Sequence, residues 1–111
     1  MSNFGEKQNV ISTVNSTTAA TFTAGQVFQG VGEDVSEYGR LGVSITTSNA
    51  TRGTLTMEVS RDNVNWGGPT RDWEDTRFAQ PHMWNIVEQY FRIKYTNGPV
   101  EAKDLNIQVQ Y

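Results

Sequence analysis

Four separate segments in which apolar and polar side chains alternate strictly constrain the fold of this chain more than any other feature. The segments are residues 40–46, 54–60, 90–95 and 104–109. Because successive side chains of a β-strand point to opposite faces, each segment buries one face and exposes the other. No window of useful length has the 3.6-residue period of an amphipathic helix. We therefore predict an all-β chain.

Turn-forming residues separate these segments at short intervals. Residues 49–53 have the composition of a turn, and we expect them to join the strands on either side as a hairpin. Residues 62–65 form a second tight turn closed by Trp66, and residues 97–99 lead into the last strand. Seven to nine short strands with such turns predict an antiparallel β-sandwich that is jelly-roll-like.

Two other stretches have weaker strand character. Residues 21–29 are predicted as a strand broken by Gly25. Residues 71–73 and 82–87 are predicted as strands on either side of an irregular loop.

Residues 1–20 differ in composition from the rest of the chain. Ser, Thr, Asn, Ala and Val dominate residues 8–20, and such a stretch buries too little apolar surface to become ordered alone. Val10, Ile11 and Val14 are nevertheless not typical of a linker. We predict an extended N-terminal arm over residues 1–20, ordered along another surface, and a single β-sandwich domain over residues 21–111. A plain edge strand is the alternative for the arm.

Composition argues against several classes of protein. The chain has no cysteine, which excludes disulfides and thiolate metal sites. The net charge is −3 and the basic residues are scattered, so no basic stripe suggests a nucleic-acid partner. No apolar run approaches the roughly 20 residues of a membrane helix, and residues 1–6 lack the layout of a secretory signal. We expect a soluble protein without an export signal, a nucleic-acid partner or a membrane partner.

Residues suited to catalysis are few. His82 is the single histidine, so a typical zinc site or catalytic triad lacks its partners. The carboxylates of residues 33–34 and 72–75 are candidates for glycoside hydrolysis or calcium binding, but the twelve-residue calcium-loop pattern is missing. We expect them to cap turns and keep the surface soluble. We predict no enzyme activity, no cofactor and no metal.

Three tryptophans lie in the second half of the chain. Tryptophan fills cores, anchors protein interfaces and stacks on sugars. We assign Trp66 to the core or a turn, whereas Trp73 and Trp84 remain open between core and interface.

Four stretches occur in a recognisable order and spacing. Residues 28–38, 41–45, 55–66 and 90–97 read FQGVGEDVSEY, LGVSI, LTMEVSRDNVNW and YFRIKYTN. This series resembles a β-sandwich module of structural proteins of tailed bacteriophages, found in fibre, baseplate-associated and capsid-surface proteins. The resemblance implies a virion component and implies no activity. The turn at Asp62 resembles a shortened Asp-box hairpin, in which the carboxylate accepts backbone N–H bonds.

The resemblance and the arm together predict a capsid decoration or cement protein that binds the outer surface of a bacteriophage capsid and stabilises it. The expected partners are the major capsid protein and further copies of the chain, as a homotrimer. The expected location is the virion surface, after synthesis in the host cytoplasm. A truncation starting near residue 21 is expected to fold and to lose binding. The residues expected at capsid and subunit contacts are Val10, Ile11, Val14, Phe22, Trp73, Phe78 and Trp84.

The alternative is a receptor- or glycan-binding module of a tail fibre or spike. In that case Trp73 and Trp84, with Asp72 and Asp75, would contact sugar.

Overall fold

A computed structural model describes residues 10–73, 75–77 and 82–111 of the chain. These residues form nine β-strands and no helix. The strands are β1 (Thr17–Phe22), β2 (Val27–Gln29), β3 (Glu33–Asp34), β4 (Arg40–Thr46), β5 (Gly53–Ser60), β6 (Thr70–Trp73), β7 (His82–Asn85), β8 (Tyr90–Asn97) and β9 (Ala102–Gln110). The predicted all-β antiparallel sandwich is confirmed.

The strands form two antiparallel sheets packed face to face. The first sheet has the order β1-β9-β4-β7, and the second has the order β2-β8-β5-β6, with the short β3 also paired to β8. Apart from β5 and β6, which are neighbours in the second sheet, the connections from β4 onward cross from one sheet to the other. With β3 set aside, this is the order of an eight-stranded jelly roll.

The inner faces of the two sheets form one core. Each of the four alternating segments turns its apolar side chains inward, as predicted, and Phe91, Ile93 and Tyr95 of the central strand β8 are fully buried. Trp73, Tyr95 and Phe91 are the largest fully buried side chains.

The hairpin predicted around residues 49–53 is wrong. Strand β4 lies in the first sheet between β9 and β7, and β5 lies in the second sheet between β8 and β6. The connection therefore crosses the core, and it is tied down by backbone bonds from Thr47 N to Thr76 O (2.8 Å) and from Thr76 N to Thr51 O (3.3 Å). The physical reason is that both strands bury one apolar face. Lying in opposite sheets, each turns that face toward the shared core, and the composition of residues 49–53 does not distinguish such a crossing from a hairpin.

Residues 10–22 belong to the body of the sandwich, which corrects the extended arm predicted over residues 1–20. Strand β1 pairs antiparallel with β9 at the edge of the first sheet. Before it, Val10 and Tyr111 exchange two backbone hydrogen bonds, and Ser12 N donates to Val109 O (2.8 Å). The alternative of a plain edge strand describes Thr17–Phe22, so the boundary predicted at residue 20 falls inside a strand. Residues 1–9 lie outside the described part of the chain.

Asn15 fixes this segment to the second sheet. Strand β2 pairs with residues 94–96 of β8, and β3 pairs with residues 90–91, which leaves Arg92 and Ile93 between them. The Asn15 side chain fills that gap: its Oδ1 accepts from Ile93 N (3.0 Å), and its Nδ2 donates to Val31 O (3.1 Å). Composition alone underestimated the segment because these bonds are available only in the assembled sandwich.

The turn after β5 has the predicted design. Asp62 Oδ1 accepts backbone N–H bonds from Asn65 (2.8 Å) and Val64 (2.9 Å), and Asn63 has a left-handed φ of 61°. The bond from the Asn65 N–H is the main cause that holds the pKa of Asp62 well below its usual range. Trp66 closes the turn, with the Arg92 guanidinium 4.2 Å from its ring centroid.

Candidate partner-binding surface

Strand directions bring several loops to one end of the sandwich. The pairs Ser60–Tyr90 and Arg40–Asn85 mark this end, and the isolated bridge between Ile11 and Gln110 lies there too. The loops at this end are residues 30–32, 35–39, 61–69 and 86–89, beside the N-terminal segment 10–16.

Exposed apolar side chains concentrate at this end. Nine large apolar side chains are exposed among the described residues, and seven of them belong here. We call these seven the apolar end: Val10, Ile11, Val14, Val31, Val64, Met83 and Val87. The other two, Val27 and Val100, lie toward the opposite end. Scattered exposed apolar residues are normal, so the concentration is the informative feature.

The loops of the apolar end are packed against each other. A Cβ atom at Gly32 would lie 2.8 Å from the Trp66 ring, so the loop bearing Val31 fits closely against the turn bearing Val64. The 35–39 and 86–89 loops are also joined, because Val35 N donates to Gln89 O (2.8 Å) and Ile86 N donates to Gly39 O (2.9 Å). The exposed valines are thus held on fixed backbone.

A partly buried polar network centred on Glu33 supports Val10, Ile11 and Val14. Glu33 Oε1 accepts from the Tyr111 hydroxyl (2.6 Å), from Ser12 Oγ (2.7 Å) and from Asn15 Nδ2 (3.3 Å). Burial, followed by the bond to Glu33, raises the pKa of Tyr111, so its hydroxyl remains a donor. Tyr111 also stacks on Tyr38, with ring centroids 5.0 Å apart.

Ile11 and Met83 lie on one row across the outer face of the first sheet. Cα pairing places Ile11 opposite Gln110, Gln110 opposite Gly42, and Gly42 opposite Met83. The Met83 sulfur lies over Gly42, where a Cβ atom would be 2.9 Å from it. The row is therefore uncharged, with an apolar residue at each end.

An apolar crevice lies between the two sheets at the same end. Its volume is about 140 Å³, and its lining includes Leu41, Met57, Val59, Trp84 and Phe91. Val87 and Glu88 line its mouth.

Charged side chains around the apolar end are mainly acidic. Glu88 faces Arg61 at 3.9 Å, and hydrogen bonds from Ser36 hold the pKa of Asp34 below its usual range. The acidic residues of the loops here are Glu37, Asp62 and Glu88, against the basic residue Arg61, and the adjoining strand ends add Asp34 and Arg40.

The predicted contact residues fall into three groups. Val10, Ile11 and Val14 are 43%, 53% and 40% exposed and belong to the apolar end. Phe22 and Trp73 are only 5% and 1% exposed. The prediction that these two touch a partner is wrong, because both side chains are part of the core.

Trp84 and Phe78 complete the predicted set. Trp84 is half-buried, packs against the core and lines the crevice. Phe78 lies outside the described residues. The sequence did not single out Val31, Val64, Met83 or Val87 as contacts. An apolar residue inside a turn, as in Gly-Val-Gly or Asn-Val-Asn, is the one signal that could have found the first two.

Three of the candidate catalytic side chains, Asp72, Asp75 and His82, have local partners, and Glu74 lies outside the described residues. Asp72 accepts from Thr54 Oγ1 (3.0 Å), and Asp75 pairs with Arg77 (2.8 Å). His82 lies between Trp73 and Trp84, with ring centroids at 5.6 and 5.1 Å, and burial lowers its pKa.

Two kinds of feature are absent from the described ranges. No group of three or more His, Cys, Asp or Glu side chains is placed to hold a metal ion. The same part of the chain contains no helix long and apolar enough to cross a membrane.

Solved structures that match this chain include an exported protein and a carbohydrate-binding module. The PBSX exported protein XepA superimposes with a TM-score of 0.75 at 17% identity, over 92% of this chain and 36% of its own. This likeness shows the fold, and our chain spans only about a third of that protein. A carbohydrate-binding module of Cellvibrio mixtus lichenase 5A, in complex with cellotriose, matches over 94% of this chain and 92% of its own at 12% identity. Its TM-score of 0.36 is too low to establish a common fold.

Sequence comparison identifies a family directly. No curated protein matches the sequence. Residues 3–111 match the family described as "Uncharacterised protein YqxG N-terminal domain", which is nearly the whole chain. The chain therefore belongs to the family of YqxG N-terminal domains.

Proposed function

We propose that the chain is a non-enzymatic structural module of a phage-related particle and that it works by holding on to another protein through the apolar end. In its specific form, the proposal is a capsid decoration protein. It binds the major capsid protein on the outer surface of the shell as a homotrimer and stabilises the shell. The concentration of seven exposed apolar side chains at one end is the observation that carries the proposal.

The chemistry of this end suits a protein partner. Interface cores are depleted of charge, and the row from Ile11 to Met83 is uncharged. Fully burying one valine stabilises a complex by roughly 1.5–3 kcal/mol before the costs of association. A few such side chains give a modest affinity per copy, and many copies on one lattice multiply the hold.

Rigidity of the end also favours docking. The loops that present Val31 and Val87 are tied to neighbouring loops by packing and backbone bonds. Binding to a surface that is already ordered avoids the entropy cost of fixing loops at the moment of contact.

The phage context is supported by the fold of the PBSX exported protein XepA and by the phage-module motifs of the sequence. The word "exported" applies to that protein. The location of our chain is tested separately, by using mass spectrometry to compare its amount on purified particles with its amount in the culture supernatant. Its presence on particles supports the decoration proposal, and its confinement to the supernatant contradicts it.

No specific observation favours the glycan-binding alternative. Trp73 is buried in the core and cannot stack on a sugar, and Asp72 and Asp75 already bond to neighbouring side chains.

A matched pair of double variants tests the proposal. Val31→Asp with Val87→Asp changes the apolar end, whereas Val27→Asp with Val100→Asp changes valines of the opposite end that are 47% and 48% exposed. Co-sedimentation with particles of the encoding phage is expected to fall at least tenfold for the first pair and to stay unchanged for the second. Equal binding by both pairs contradicts the proposal. Sedimentation of the free protein checks for a trimer of the 12.4 kDa chain.

A further inference from the structure

The crevice at the apolar end joins side chains of both sheets. Leu41 and Trp84 come from the first sheet, and Met57, Val59 and Phe91 come from the second. Protein interiors hold few voids larger than a water molecule, so an apolar opening of this size beside large side chains needs an explanation.

The volume fits one apolar group. The crevice holds about 140 Å³. An engineered apolar cavity of about 150 Å³ in another protein stays free of water and takes up benzene. A phenyl ring or a leucine side chain is thus the class of group that the crevice admits, whereas water finds few polar partners there.

The mouth of the crevice adds a charge preference. Val87 is 76% exposed at this mouth, beside the half-buried Glu88, and the largely exposed Arg61 approaches the Glu88 carboxylate only to 3.9 Å. Acidic residues outnumber basic ones in the loops around the apolar end. A partner that presents an apolar side chain next to a lysine or arginine is complementary to this arrangement.

We propose that the crevice receives one aliphatic or aromatic side chain of the partner protein, flanked on the partner by a basic residue that faces Glu88. This inference rests on the proposed function and assigns the anchor within the same surface. Interfaces commonly concentrate their binding energy in a few side chains that fill such pockets.

Filling the crevice tests the anchor. Val59→Phe adds bulk to its lining, and Val59→Met is a second, more adaptable filler in case the first variant does not fold. Val100→Phe, at the opposite end, is the control for added aromatic surface. Benzene is the probe for the free protein. Its binding is measured by the shift in melting temperature and by chemical-shift changes at Val59 and Phe91. Benzene is expected to raise the melting temperature of the wild type and the control, with no effect on the filled variants.

Particle binding provides the second readout. Folded filled variants are expected to bind particles at least tenfold more weakly than the wild type, and Glu88→Lys is expected to bind more weakly than Glu88→Gln. Wild-type binding by the filled variants, together with loss of binding by Val31→Asp with Val87→Asp, overturns the anchor and leaves the proposed function standing. Wild-type binding by both sets of variants overturns both. A wild type that does not respond to benzene also overturns the anchor. If a free hydrocarbon ligand occupied the crevice instead, the filled variants would bind particles as the wild type does. That result overturns the anchor.

Discussion

Asn15→Ala is the substitution that best separates an integral N-terminal segment from a detachable arm. The Asn15 side chain is fully buried and forms hydrogen bonds with Ile93 N, Val31 O and Glu33 Oε1. Alanine keeps the backbone and removes all of these bonds. The buried Ile93 N–H then has no acceptor in the gap between β2 and β3.

The expected cost follows from those unpaired groups. A buried donor left without a partner costs about 1–3 kcal/mol, which applies to the Ile93 N–H, and the part-buried Val31 carbonyl adds about 1 kcal/mol at the low end of that range, so the loss is about 2–4 kcal/mol. A domain of this kind has about 5–15 kcal/mol of unfolding free energy. We therefore expect the variant to fold at 25 °C with a clearly reduced margin.

Urea denaturation measures the change, and hydrogen exchange locates it. With an m-value of about 1–3 kcal/mol/M, a loss of about 3 kcal/mol lowers the urea midpoint by roughly 1–3 M. Amide exchange of Ile93 is expected to accelerate. Thr13→Ala, at an exposed position of the same segment, is the control and should stay within about 0.5 kcal/mol. A loss below about 0.5 kcal/mol for Asn15→Ala would refute the assignment of this segment to the body of the domain.

Three further predictions concern the core, the turn after β5 and a loop contact. Within the described residues the buried Tyr95 hydroxyl has no hydrogen-bond partner, so Tyr95→Phe should leave urea stability unchanged or raise it by up to about 2 kcal/mol. Burial raises the pKa of Tyr95 from 10.0 to about 12. The contribution of this pKa difference to the free energy of unfolding is therefore present below pH 10 and lost as the pH rises toward 12. Urea denaturation across this range should show a shallower decline in stability for Tyr95→Phe than for the wild type. Backbone bonds, above all the one from the Asn65 N–H, lower the pKa of Asp62. The contribution of Asp62 to the free energy of unfolding is therefore present above about pH 4 and lost as the pH falls. Asp62→Ala should have a lower melting temperature at neutral pH, and its stability should depend less on acid. Gly32→Ala forces a Cβ atom against the Trp66 ring and should cost about 1–3 kcal/mol in urea, and an unchanged midpoint would contradict the close packing of these loops.

Strand positions and core residues were predictable because a buried face imposes a period of two on the sequence. Most apolar positions of β4, β5, β8 and β9 are buried, and Val59 is half-buried. The sheet to which each strand belongs was not predictable, since residues 49–53 have the same composition whether they close a hairpin or cross the core. Local composition also hid the fate of residues 10–16, whose bonds reach Ile93 and Val109 far along the chain.

The candidate surface was only partly predictable for a related reason. Val10, Ile11 and Val14 attracted attention as apolar residues in a polar stretch. Val31 and Val87 are single apolar residues in loops, where no period distinguishes them, and only the strand order brings them to one end. Trp73 was misassigned because its burial depends on the pairing of β6 with β5.

Amide hydrogen exchange of the chain, with and without the phage-related particles of the proposed function, tests the proposed docking of the apolar end most directly. We expect slower exchange on the particle in residues 10–14, 30–32, 62–65 and 86–88, with little change in the loops 23–26 and 98–101 at the opposite end. Protection of the opposite end, or equal exchange in the free and particle-bound samples, would contradict the account.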